Sequence, residues 1–174
     1  MHQIASTIRK TAIAACLAVS SALGAAAEEL PEPTGDVILT VSGDIEKTNG
    51  DDMARFDLAM LKAMPASTIA TTTIWTEGDQ EFTGIELHTL LEALGVESGE
   101  ITATAINDYA VTLPVTDAVP GGPIIAYARN GDEMSVRDKG PLWVIYPYDS
   151  NADYRTETIF ARSIWQLDRM AIAE

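Results

Sequence analysis

Phe82-Thr83-Gly84-Ile85-Glu86-Leu87, continued by Leu90-Leu91 and closed by Leu94-Gly95, is the most legible stretch of the chain. Thr83 and Glu86 have the Thr-x-x-Glu spacing of a capping box, and Phe82 and Leu87 are placed for a hydrophobic staple. The helix so predicted carries Leu87, Leu90, Leu91 and Leu94 on one face, because residues three and four apart are neighbours on a helix. Gly95 then supplies a left-handed C-cap. His88 sits one position off the leucine face, where a lone histidine reads as a half-exposed helix residue rather than a ligand or base.

Outward from this helix the chain reads mostly as strands. Val37–Val41 is a β-branched run closed by the turn Ser42-Gly43-Asp44. Asp57 can cap a short helix over 58–64, which Pro65 stops. Residues 68–75, nearly all Thr, Ile and Ala, favour a strand. Downstream, 101–106 and 110–113 flank the turn Asn107-Asp108-Tyr109, and 123–129 runs into Asn130-Gly131, a type I′ hairpin signal. Residues 142–146 read as a buried strand between Gly140-Pro141 and Pro147, 158–167 has helical spacing, and 169–172 is strand-like. The fold class is α+β: one domain of mixed β-sheet with a few short helices.

The 174 residues suffice for one domain with a real core. Eleven Lys and Arg face 26 Asp and Glu, a net charge of −15. That balance excludes most nucleic-acid roles, which need clustered basic residues to meet phosphate. At the N-terminus, Arg9-Lys10, an apolar alanine-rich run over 11–23 and Ala25-Ala26-Ala27 have the three-part layout of a cleavable export signal. The run is too short to span a bilayer, so no stable membrane insertion is expected after cleavage. Ile13-Ala14-Ala15-Cys16 resembles a lipoprotein box, but five residues between Lys10 and Cys16 are too few for an apolar core. The expected organisation is 1–27 signal peptide, 28–36 flexible leader and 37–172 folded domain, with the product in the periplasm. Cleavage would remove Cys16, the one cysteine of the chain.

The chemistry inventory is thin. One remaining histidine and no cysteine give a zinc or haem site almost no material. Asp149-Ser150-Asn151-Ala152-Asp153 has part of a calcium-loop spacing but lacks its Gly and closing Glu. No Gly-x-Ser-x-Gly elbow occurs. Gly121-Gly122-Pro123 precedes a strand, the wrong order for a phosphate cradle at a helix N-terminus.

The order of the segments resembles the sulfite oxidase-like molybdopterin-binding domain. Ile38–Gly43 followed by Phe56–Pro65 resembles its opening L-x-V-x-G … F-x-L-x-x-L-x-x-L-P. Phe82–Leu87 with Leu90-Leu91 and Gly95 is similar to its W-x-G-x-x-L-x-x-L-L-x-x-x-G helix. Asn107-Asp108-Tyr109 is similar to its D-G-Y hairpin, and Ile125–Gly131 with Gly140-Pro141-Leu142 to its L-A-x-x-x-N-G … G-G-P-L-R segment. The resemblance implies a pterin-holding cleft and a cysteine ligand for molybdenum just before the helix. In this sequence that stretch is Thr71-Thr72-Thr73-Ile74-Trp75-Thr76, and Trp143 stands where the family has Arg. A hydroxyl cannot replace a thiolate that tunes a redox metal.

The cleft implied by the resemblance draws on Thr73, Trp75, Asn107, Asp108, Tyr109 and Lys139. Plainer readings are a turn-former for Asp108 and core rings for Trp75 and Tyr109. Tyr146, Tyr148 and Tyr154 with Arg155 form an aromatic and basic segment; Tyr146 reads as strand core, and Tyr148, Tyr154 and Arg155 are expected to rim the cleft. No catalytic residue, metal ligand or cofactor is expected, with molybdopterin as the alternative. Two functions stay open: a non-catalytic periplasmic module that binds a small molecule or a protein partner, or a molybdopterin-binding oxidoreductase without a cysteine ligand.

Overall fold

The computed structural model describes residues 30–174; the expected signal peptide lies outside them. Thirteen regular elements follow in order. They are β1 (Val37–Gly43), β2 (Ala54–Asp57), α1 (Leu58–Ala63), β3 (Ala66–Thr71), β4 (Gln80–Glu86) and α2 (Leu87–Leu94). Then come β5 (Glu100–Ala105), β6 (Ala110–Pro114), β7 (Ile124–Arg129), β8 (Asp132–Glu133), β9 (Trp143–Ile145), α3 (Glu157–Arg162) and β10 (Leu167–Ala173). One sheet has the order β2-β1-β10-β5-β6, and the other β3-β4-β7-β8 with β9 also paired to β7. Only β1 and β10 run parallel. The domain is α+β, and no described helix is long and apolar enough to cross a membrane.

Periodicity explains most of these elements. Leu39 and Val41 of β1 and Ile101 and Ala103 of β5 alternate inward and are fully buried, the period-2 pattern of a sheet with one covered face. All but the last residue of β7 are buried, as expected of a strand covered on both faces. Buried side chains of both sheets and the four leucines of α2 form a single apolar cluster. Asp57 caps α1 by accepting from the Met60 amide at 2.8 Å. Its other oxygen accepts from the amides of Thr34 and Gly35, each at 2.8 Å. Residues 30–36, expected as a flexible leader, are therefore tethered, and the Asn49 side chain donates to the Pro31 carbonyl as well.

Three expectations need correction. Thr83 does not cap a helix: it lies within β4, opposite Thr68 of β3 and Ala128 of β7. Pairing with β3 over 80–85 and with β7 over 82–86 claims the segment for the sheet, so α2 starts three residues later than expected, with Glu86 at its N-cap and no side-chain capping bond. The leucine face and the left-handed Gly95 are as expected. The strand read over 68–75 stops at Thr71 and the chain turns before Trp75. The 158–167 segment divides into α3 and an irregular stretch leading into β10. The Asn130-Gly131 hairpin has the two positive φ angles of a type I′ turn, 53° and 87°.

Gly84 sits where the β4–β7 register shifts. A Cβ there would overlap the Ile125 carbonyl and the Ala126 backbone, which are fixed by the ladder. Gly84→Ala should therefore cost about 1–3 kcal/mol, read as a lower urea midpoint with an unchanged slope.

Candidate functional site

The turn after β3 begins with a side-chain brace. Thr73 Oγ1 accepts from the Trp75 amide at 3.1 Å and lies 2.7 Å from Thr76 Oγ1. Asp149 clamps the start of the same turn. Its Oδ2 accepts from the Thr72 amide at 2.5 Å and the Thr71 hydroxyl at 3.1 Å, and both its oxygens accept from the Thr72 hydroxyl. These donors stabilise the charged form and hold the Asp149 carboxyl below the usual range, with the Arg155 charge a smaller contribution. The clamp ends β3 and turns the chain toward the aromatic cluster.

Trp75 packs edge-on against four rings: Trp143 at 5.7 Å, Tyr148 at 6.3 Å, Phe160 at 5.8 Å and Trp165 at 5.8 Å between centroids. Edge-to-face contacts of this kind add to the gain from burial alone. Trp143 is fully buried, and its Nε1 donates to the Ser163 carbonyl at 3.1 Å. Tyr148, 1% exposed, donates to Ser163 Oγ at 2.7 Å, and that hydroxyl donates to the Ile159 carbonyl at 2.8 Å. Burial pushes the Tyr148 phenol up to about 12, so it stays a neutral donor. Ser163 thus binds β9, the tyrosine loop and α3 into one unit. The same end of α3 is also fixed by Arg162, which donates to both oxygens of Asp117, while the buried Tyr146 hydroxyl donates to the same carboxylate at 2.8 Å.

Above this floor lies a cleft of about 370 Å³. Trp75, Tyr109, Phe160 and Trp165 wall it, with Asn107 on the hairpin side. Tyr109 and Trp165 remain 59% and 37% exposed, so two large rings face solvent at its mouth. Asn107 Oδ1 accepts from the Tyr109 amide at 3.2 Å, which fixes the hairpin tip.

Of the nine candidate residues, three line this cleft: Trp75, Asn107 and Tyr109. Thr73 positions Trp75 without lining it. Tyr148 is buried behind Trp75 and Phe160 and does not line the cleft. Lys139 lies beside it, with Nζ 4.3 Å from the centre of the Trp165 ring and 5.6 Å from that of Trp143. Asp108 turns away to pair with Arg169, which also holds Asp168. Tyr154 packs on Tyr146 at 5.9 Å, and neither it nor Arg155 joins the cleft lining. Sequence reading missed Phe160 and Trp165. Their signal was an aromatic pair just before the last strand, in a chain with only three tryptophans. His88 is half-buried on a separate groove with Glu92 and Glu97.

The chain belongs to the oxidoreductase molybdopterin-binding domain family, whose sequence model matches residues 34–150. That span ends before Phe160 and Trp165, so two walls of the cleft come from outside it. No curated protein matches the chain at a significant level.

The residues around the cleft do not match the family's anionic, metal-bearing pterin. No described group of three or more His, Cys, Asp or Glu side chains is placed to hold a metal, and the one cysteine, Cys16, lies outside the described residues. The ring of Trp143 beneath the cleft is fully buried and offers no charge. No lysine or arginine lines the cleft; Lys139 lies over the Trp165 ring, and Arg169 is committed to carboxylates. Chemically the cleft suits a flat apolar body with one hydrogen-bonding edge facing Asn107.

Ser163→Ala removes the acceptor of a buried phenol and should cost about 1–3 kcal/mol, whereas Tyr148→Phe, which leaves Ser163 bonded to Ile159, should cost about 0.5–1.5 kcal/mol. Chemical unfolding of the two variants gives the order. Asp149 stabilises the fold at neutral pH, because its carboxyl titrates lower folded than unfolded, and that contribution is lost as pH falls through the folded value, below about 4. Asp149→Asn should therefore flatten the acid limb of the stability profile, and thermal melts across pH 2–5 check it.

Proposed function

We propose that this chain is a periplasmic, non-catalytic module that keeps the molybdopterin-domain scaffold and uses its cleft to bind a small, flat, largely apolar molecule. The observation that carries this reading is the cleft itself: four aromatic walls, one amide, and neither cysteine nor histidine among its lining residues. Aromatic rings lose little conformational entropy on ordering and bury large areas, which favours recognition over chemistry. The tethered residues 30–36 and the export-type leader fit a domain that works outside the cytoplasm. The alternative, a molybdopterin-binding oxidoreductase without a cysteine ligand, rests on family membership. It would need a hydroxyl such as that of Thr73 to serve as an anionic ligand among many carboxylates.

Fluorescence tests the reading, since two of the three tryptophans line the cleft. Titration with indole or naphthalene derivatives should quench and shift tryptophan emission saturably. Trp165→Ala should weaken that binding by about tenfold, the loss of one well-packed ring contact. A linear, non-saturating response in the wild-type chain would contradict it.

A further inference from the structure

The two sheets end in strand edges, and all but one are visibly protected. On β2 the side chain of Asn49 occupies the outer backbone of Arg55, donating to its carbonyl and accepting from its amide, both at 2.8 Å. On β6 helix α3 lies alongside, with Val111, Thr112, Thr158 and Arg162 sharing one groove, and Pro114 offers no amide. At the far end of the second sheet, β8 is two residues long and both are acidic. The neighbouring β9 is covered, because the Val144 amide donates to the Ile164 carbonyl at 2.9 Å. Shortness, charge, proline and cover are the usual means of keeping an edge from recruiting another strand.

The edge of β3 has none of them. Its six residues, Ala66-Ser67-Thr68-Ile69-Ala70-Thr71, carry no charge and no proline. They pair residue for residue with β4 from Ala66↔Ile85 to Thr71↔Gln80, without a bulge. No backbone bond from 66–71 to anything but β4 occurs among the described residues. Over 66–70 one side of the strand therefore presents a row of amides and carbonyls to solvent, while Thr71, 2% exposed, is covered at the Asp149 clamp. The composition is strand-forming throughout.

Charge identifies the occupant. Between Lys62 and Arg129 the sequence has no lysine or arginine, and Lys62 is committed to Glu133 at 2.6 Å. Glu77, Asp79 and Glu81 stand exposed where β3 and β4 meet, and none joins an ion pair among the described residues. A second copy would bring the same unpaired acids, and a six-residue strand pair offers far less than the roughly 1,200 Å² of a stable dimer. We propose that the β3 edge is a docking site for an extended segment of another protein, added antiparallel or parallel as a further strand, with basic residues flanking an uncharged β-forming centre. Main-chain pairing supplies the affinity and the flanking charges the selectivity. The proposal uses none of the cleft residues and stands apart from the ligand reading.

The test uses the isotope-labelled protein and two synthetic peptides, KKTVTITKK and EETVTITEE. The basic peptide should slow hydrogen exchange of alternate amides in 66–71 by about tenfold or more and bind about tenfold more tightly than the acidic one, the sum of several modest ion pairs. Glu77→Lys with Asp79→Lys, on exposed turn residues, should invert that preference while leaving β7 amides unchanged. If the double variant fails to fold, the two-peptide comparison on the wild-type chain still decides. Equal binding of both peptides, protection confined to β6 or the cleft, or β3 protection that grows with protein concentration alone would each overturn the proposal, the last by showing a second copy as the occupant.

Discussion

The buried indole of Trp143 is the contact on which the cleft depends. It meets Phe82 of β4 at 5.4 Å, Trp75 at 5.7 Å and Trp165 at 6.2 Å, and its one polar atom is satisfied by Ser163. With tryptophan there, the surrounding turns can close over an apolar floor. The indole thereby fixes three neighbouring rings.

Around that floor, polar groups hold loops rather than face a ligand. Asp149 is spent on Thr71 and Thr72, Asp57 on α1 and the 34–35 amides, Asp117 on Arg162 and Tyr146, and Asn130 on β4. Every buried side-chain nitrogen or oxygen among the described residues has a partner. The groups whose titration is shifted are the loop clamps Asp57 and Asp149, held low by the donors around them, and the phenols of Tyr146 and Tyr148, pushed up by burial.

Local chemistry was legible where it decides structure alone. Asp57 caps a helix, Gly95 ends one, Asn130-Gly131 makes a hairpin, and Leu87, Leu90, Leu91 and Leu94 are the buried face of α2. Reading failed where tertiary pairing overrides a local signal. Thr83-x-x-Glu86 is a good capping box, yet two flanking strands recruit it into β4. The Thr-rich run over 68–75 has strand propensity to its end, but Asp149, seventy-odd residues away, ends the strand at Thr71. Phe160 and Trp165 escaped notice because a helix end and an irregular turn bring them over the cleft, and neither has a periodicity to read. Trp75, Asn107 and Tyr109 were accessible through the resemblance, since they occupy turns flanking the expected cleft.

Under the proposed function, the chain keeps the family scaffold without the family's metal. Native mass spectrometry of the protein purified from its own cells, with molybdenum determined on the same sample, tests this most directly. The account predicts the mass of the polypeptide, with at most a small organic ligand, and molybdenum far below one atom per chain. A species heavier by a pterin dithiolene, with close to one molybdenum per chain, would contradict it.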